Sequence, residues 1–239
     1  MPYSKEIFGA SFVINGDFNP PIFTPDWLEQ NGLIGAADAE MARADGNLSI
    51  TRQIARYDTE WFELQVLENQ FSMSTKGAVT PSIKDLIMSV FTLLPQTPVS
   101  AFGLNFMAHY KMDTRDEYHK VGDMLAPKGI WNRIFGTGED TSAGLETLTM
   151  KIEPFSRDQV PNSRDVTRVT LQPSNRVKPG GIYFSINNHY EVPDLESAAE
   201  RNAKMVEIIN SQWEEAWANA TDVFEAILDD TLGDTDSTS

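Results

Sequence analysis

From Asp194 to Asp230 the chain contains neither glycine nor proline, and Pro193 stands immediately before this stretch. Within it Val206, Ile209, Trp213, Ala216, Trp217, Ala220, Val223, Phe224 and Ile227 recur at steps of three and four. That spacing draws one apolar stripe along a helix, which Asp194 is placed to cap. At 1.5 Å per residue the helix reaches roughly 50–55 Å, longer than a compact body of this size is wide. It must therefore cross the whole body, bend near Asn210–Ser211 or Asn219, or project towards a partner.

The platform for such a helix is legible upstream. Phe102, Leu104, Phe106, Ala108, Tyr110 and Met112 alternate with Gly103, Asn105, Met107, His109 and Lys111. A period of two puts the first set on a core face of a strand and the second, more polar set on the other face. Just before it, Ile83, Leu86, Ile87, Val90 and Leu94 fall at helical spacing. Thr80 is a suitable cap, Pro81 suits the first helical position, and Pro95 ends the run.

Ala10 to Phe18 reads as a strand, and Thr24–Pro25 opens a short helix that runs to Asn31 and stops at Gly32. Leu48–Tyr57 and Glu60–Ser74 read as two strands around an Asp58–Thr59 turn. Beyond the 102–112 strand, Asp113 is placed to cap a helix carrying Tyr118, Val121, Met124 and Leu125. A glycine-punctuated stretch from Gly129 to Gly144 then surrounds the apolar turn Ile130, Trp131, Ile134 and Phe135. Three alternating runs follow, marked by Leu148/Met150/Ile152, Val169/Leu171 and Ile182/Phe184/Ile186.

The expected fold is α+β: a mostly antiparallel sheet with helices on one face and a long C-terminal helix. Two tandem βαββα units are expected, residues 1–96 and 97–232, the second with an extra strand. They should form one composite body, because the Leu94–Val99 connection is short, and 233–239 should be a disordered acidic tail.

Charge is distributed unevenly. The chain of 239 residues carries a formal net charge of −16, and residues 191–239 hold 13 acids against 2 bases. Residues 151–190 reverse the sign, with 6 bases against 3 acids. A field this negative repels phosphate backbones, so direct nucleic-acid binding is not expected. The first use of such a surface is solubility. No run approaches the roughly 18 apolar residues of a membrane span, no signal peptide is visible, and there are no cysteines. Those features suit a cytoplasmic protein and no membrane partner.

The chemistry on offer is sparse. His109, His119 and His189 are the three histidines, and His109–Asp113–Asp116–His119 holds potential metal ligands without a compact signature. No Gly-x-Ser-x-Gly elbow is present. Gly136-Thr-Gly138 lacks the third glycine and the lysine of a phosphate loop, and Glu139 and Asp140 follow it. No cofactor, catalytic residue or metal ligand is assigned.

What remains is contact chemistry. Trp213, Trp217 and Phe224, with Glu214 and Asp229, form the helix-borne candidate surface for a protein partner. Acids near the helix C-terminus oppose its dipole, which favours something basic facing that end. Arg157, Arg164, Arg168, Arg176 and Lys178 make a basic island able to fork onto carboxylates. It serves either to balance the acidic helix or to join copies head to tail. The leading expectation is a non-enzymatic interaction or assembly subunit, bound to a protein partner or to further copies of itself. An acidic inhibitor that mimics DNA is the first alternative. A metal-dependent hydrolase using the His109/His119 region is the second.

Overall fold

A computed structural model describes residues 2–77, 82–136, 143–153 and 165–233. Nine strands form one antiparallel sheet: β1 (Tyr3–Gly16), β2 (Ser49–Ile50), β3 (Ile54–Asp58), β4 (Phe62–Leu67), β5 (Gln70–Thr75), β6 (Val99–Met112), β7 (Leu148–Ile152), β8 (Val166–Pro173) and β9 (Gly181–Glu191). Six α-helices accompany it: α1 (Pro25–Gln30), α2 (Ala36–Arg43), α3 (Ser82–Leu93), α4 (Arg115–Leu125), α5 (Gly129–Phe135) and α6 (Ala198–Leu232). The sheet order is β2-β3-β4-β5-β1-β6-β9-β8-β7. The fold is α+β.

The two longest strands meet in the middle. β1 and β6 pair antiparallel from Tyr3↔Met112 to Gly16↔Val99, with a bulge at Lys5/Ile7. Each then has its own half's last strand on its other side, β5 beside β1 and β9 beside β6. Both halves therefore run the same course outward from this seam: a long central strand, helices, strands returning from the edge, and a closing helix.

Alternation decides which face is buried. Phe12 and Ile14 of β1, Phe71 and Met73 of β5, Phe102 to Tyr110 at even positions of β6, and Phe184 and Ile186 of β9 point to the helix side and are all buried. α6 lies along the seam on that side. Asn202 Nδ2 donates to Leu94 O near the start of β6, and Tyr3 OH donates to Asp229 Oδ1 near its end. Between these points the Trp213 ring stacks on Phe12 at 4.9 Å and packs against Phe106. At about 1.5 Å per residue its 35 residues span ~52 Å, close to the ~48 Å of a 14-residue strand at 3.4 Å per residue. The helix is held to the body at both ends and does not project. It is one unbroken element laid along the strands it covers.

Several boundaries differ from expectation, each for a local reason. β1 begins at Tyr3, where Tyr3↔Met112 pairing extends it well before Ala10. The Glu60–Ser74 run is two strands, because Glu68–Asn69 turns the chain so that Leu67 pairs with Gln70. α2, a short alanine-rich helix, had no period long enough to show; it buries Ala39 and Ala42 beside β3. Thr114, not Asp113, caps α4, and Ser197, not Asp194, caps α6. Each forms a reciprocal capping box, with Glu117 and Glu200 respectively. Thr80, Pro81 and residues 234–239 lie outside the described residues.

Candidate functional surface

Among the described residues all the packed helices lie on one side of the sheet, so the odd positions of β6 and their neighbours form an open face. Across its centre run Ser11 and Val13 of β1, Gly103, Asn105 and Met107 of β6, and Ser185 and Asn187 of β9. Farther out come Ser72 and Ser74 of β5, Gln65 of β4, and Thr170 and Gln172 of β8. Most are hydroxyls and amides rather than the charges that dominate the rest of this chain. Ser11, Gly103 and His109 are buried although no described helix covers them. These residues form the floor between taller neighbours.

The centre is tied together by amides. Asn187 Nδ2 donates to Asn105 Oδ1, and Asn105 Nδ2 donates to Ser11 O at 3.3 Å. A Cβ at Gly103 would lie 2.8 Å from Asn187 Nδ2, so glycine there leaves room for the amide pair. Towards the first half, Arg56, Asp58, Glu63, Gln65, Ser72 and Ser74 line a depression of about 470 Å³.

At the other end the β8–β9 loop is fastened to the face by His109. Ser174 Oγ accepts from the backbone N–H groups of Arg176 (3.1 Å) and Val177 (2.8 Å), and lies 2.8 Å from His109 Nδ1. With both lone pairs of the hydroxyl occupied, its proton points at Nδ1, which fixes the neutral Nε2–H tautomer of His109. Burial pushes the His109 pKa below its ordinary 6.5, and the Arg176 guanidinium lowers it further. Lys111 Nζ donates to Pro179 O from the same face.

The described members of the basic island, Arg168, Arg176 and Lys178, are not spent on the acidic helix, and Arg157 and Arg164 lie outside the described residues. Arg168 faces outward between Asn187 and Lys151, its cross-strand neighbours on the open face. Arg176 and Lys178 are exposed in the β8–β9 loop. Among the described residues none of these three has an acidic partner within 4 Å. Lys151 bonds Glu153 at 2.8 Å. The α6 acids find other cations: Glu225 meets Lys5, Glu207 meets Lys204, and Glu214 stands 3.9 Å from Lys84. At the C-terminus of α6, Lys120 Nζ donates to the carbonyls of Leu232 and Gly233. The cation expected from a partner at that end is the chain's own, supplied by α4.

The helix-borne candidates need correction for the same reason. Trp213 and Phe224 are fully buried against the sheet, so they are core and present nothing to a partner. Trp217 is half-buried, its ring 6.1 Å from that of Trp213. Glu214 and Asp229 are exposed on the helix side, whereas Arg168 and Arg176 belong to the opposite side. The eight sequence candidates thus form no single surface, and Arg164 lies outside the described residues.

The histidines are not brought together. His109 and His189 share the open face, but His189 pairs with Gly103, six residues along β6 from His109, or about 20 Å. His119 sits on α4 on the helix side, where Nε2 accepts from Arg115 Nε at 3.2 Å. Among the described residues no group of three His, Asp or Glu could hold a metal ion. No helix there is long and apolar enough to cross a membrane.

Compared with models of known protein families and with curated proteins, the chain matches none.

Proposed function

We propose that this chain is a non-catalytic binding subunit whose open sheet face receives an acidic polypeptide segment. The observation that carries the reading is the charge segregation. Among the described residues Arg168, Arg176 and Lys178 stand without acidic partners on or beside the second half of a face rich in hydroxyls and amides, in a chain of net charge −16 whose α6 acids lie on the far side. Lys151 stands directly across from Arg168 but is paired with Glu153 at 2.8 Å, so among the described residues Arg168 is the cation of this strand pair left for a ligand. Arginine supplies the bidentate geometry for carboxylates, and the Asn, Gln and Ser side chains supply hydrogen bonds to an extended backbone.

The other readings have less support. A DNA mimic needs free carboxylates in an array, and Glu207 and Glu225 are ion-paired with the chain's own lysines. A hydrolase using His109 and His119 needs them together, and the sheet separates them.

A labelled oligoglutamate peptide tests the proposal by fluorescence anisotropy. Binding should weaken steeply with salt and fall by at least about tenfold, ~1.4 kcal/mol, in the Arg168→Glu/Arg176→Glu variant. Both residues are exposed, so the fold should be unaffected. Equal binding by the variant, or stronger binding to an oligodeoxynucleotide of equal charge, would overturn it.

A further inference from the structure

The two halves treat their outer strands differently. In the first half α2 packs on β3, and Ala55 and Tyr57 beneath it are buried. In the second half the helix-side residues of β7 are bare: Met150 and Ile152 are each 55% exposed. α5 follows α4 much as α2 follows α1, yet no residue of it is buried. Ile130, Trp131, Ile134 and Phe135 are 50–70% exposed, with Trp131 and Phe135 stacked on one flank. Among the described residues the chain thus carries an apolar helix without a seat and an apolar strand face without a helix.

We infer that these two features meet between copies: α5 of one chain seats on β7 of a second copy, and the exchange is reciprocal. Charge favours the match. Arg133 of α5 has no acidic partner among the described residues, and Glu146 precedes β7 by two positions; Lys128 and Glu153 are already paired, with Asp123 and Lys151, and Lys151 points to the other face. Area favours it too. Half-exposed side chains of this size offer ~600 Å² per chain, so a reciprocal contact buries about 1,200 Å², the lower bound for a stable interface. β7 is also an edge strand, paired only with β8 among the described residues, so its outer backbone groups are free to meet the partner. The interface is separate from the open sheet face and does not depend on the function proposed for it.

A cysteine-free chain makes the test direct. Native mass measurement of the full chain across the micromolar range should show a dimer. Phe135→Asp and Met150→Asp should each return it to a monomer with an unchanged melting temperature, since both side chains are exposed. Arg168→Glu should leave the dimer intact. Mixing an Ile134→Cys chain with an Ile152→Cys chain should give a disulfide-linked pair under mild oxidation. A monomeric wild-type chain would overturn the inference. So would a dimer that survives both aspartate variants, or a doubly substituted Ile134→Cys/Ile152→Cys chain that closes its disulfide within one molecule, which would show α5 seating on its own β7.

Discussion

His109 concentrates the physics of the open face into one side chain. Its ring packs 4.9 Å from Tyr183, its Nδ1 receives the Ser174 hydroxyl, and Arg176 lies close enough to repel a positive charge. Lys111, two positions along the same strand face, is another cation, and Ile7 of β1, the register partner of His109, offers no compensating acid. Protonating Nδ1 would set an N–H against the hydroxyl proton and strand a charge among these cations. The sign follows from linkage. The folded pKa is lowered, so below about pH 6.5 the unfolded chain binds the proton more readily than the native one, and stability falls as pH falls. Between pH 7.5 and 5 the melting temperature should decline, and His109→Gln should flatten that decline while keeping a polar group at the site. Parallel curves for the two proteins would remove His109 from the account.

At the scale of elements, α6 decides whether the fold exists. Its buried stripe includes Met205, Ile209, Trp213, Ala216, Ala220, Phe224 and Leu228, all within 2% of full burial. Truncation after Asn210 removes Trp213, Phe224 and Leu228. Losing any one large core side chain costs about 2–5 kcal/mol, so losing three matches a typical total stability of ~5–15 kcal/mol. The expected result is loss of soluble protein, measured as the soluble fraction on expression. A soluble truncated chain with native circular dichroism would show the distal helix to be an appendage. The stripe itself was readable from the sequence, because steps of three and four from Val206 to Ile227 match the period of a helix and not that of a strand. Its role was less readable. Trp213 and Phe224 resemble contact residues until a sheet of matching length is placed under them, and that length came from β1 extending back to Tyr3. The open face was half-visible in the same way. Asn105, His109 and Lys111 alternate with the core residues of β6, but their neighbours Asn187, Ser185 and Arg168 are assigned by strand register, which local patterns do not encode.

For the molecule as a whole, the order of strands makes the two halves dependent on one another. The sequence division at residues 96–97 falls in the loop that leads from α3 to β6, yet the most extensive pairing in the sheet, β1 with β6, crosses it. α6 belongs to the second half in sequence, yet Trp213 stacks on Phe12 of the first, and the helix also packs on α3. A fragment of residues 1–96 would expose the whole inner edge of β1 together with Phe12 and Ile14, a long apolar edge of the kind that aggregates. Cooperative unfolding is the expected consequence. Trp27 and Trp61 report on the first half, Trp213 and Trp217 on α6, and far-ultraviolet circular dichroism on both. In urea, a variant keeping only Trp27 and Trp61, with the other tryptophans replaced by phenylalanine, should give one coincident midpoint by fluorescence and by circular dichroism of that same protein. The 1–96 fragment should fail to give a cooperative transition. A first-half midpoint separated from the global one, with a soluble and folded 1–96 fragment, would mean that the seam joins two independent domains rather than creating one.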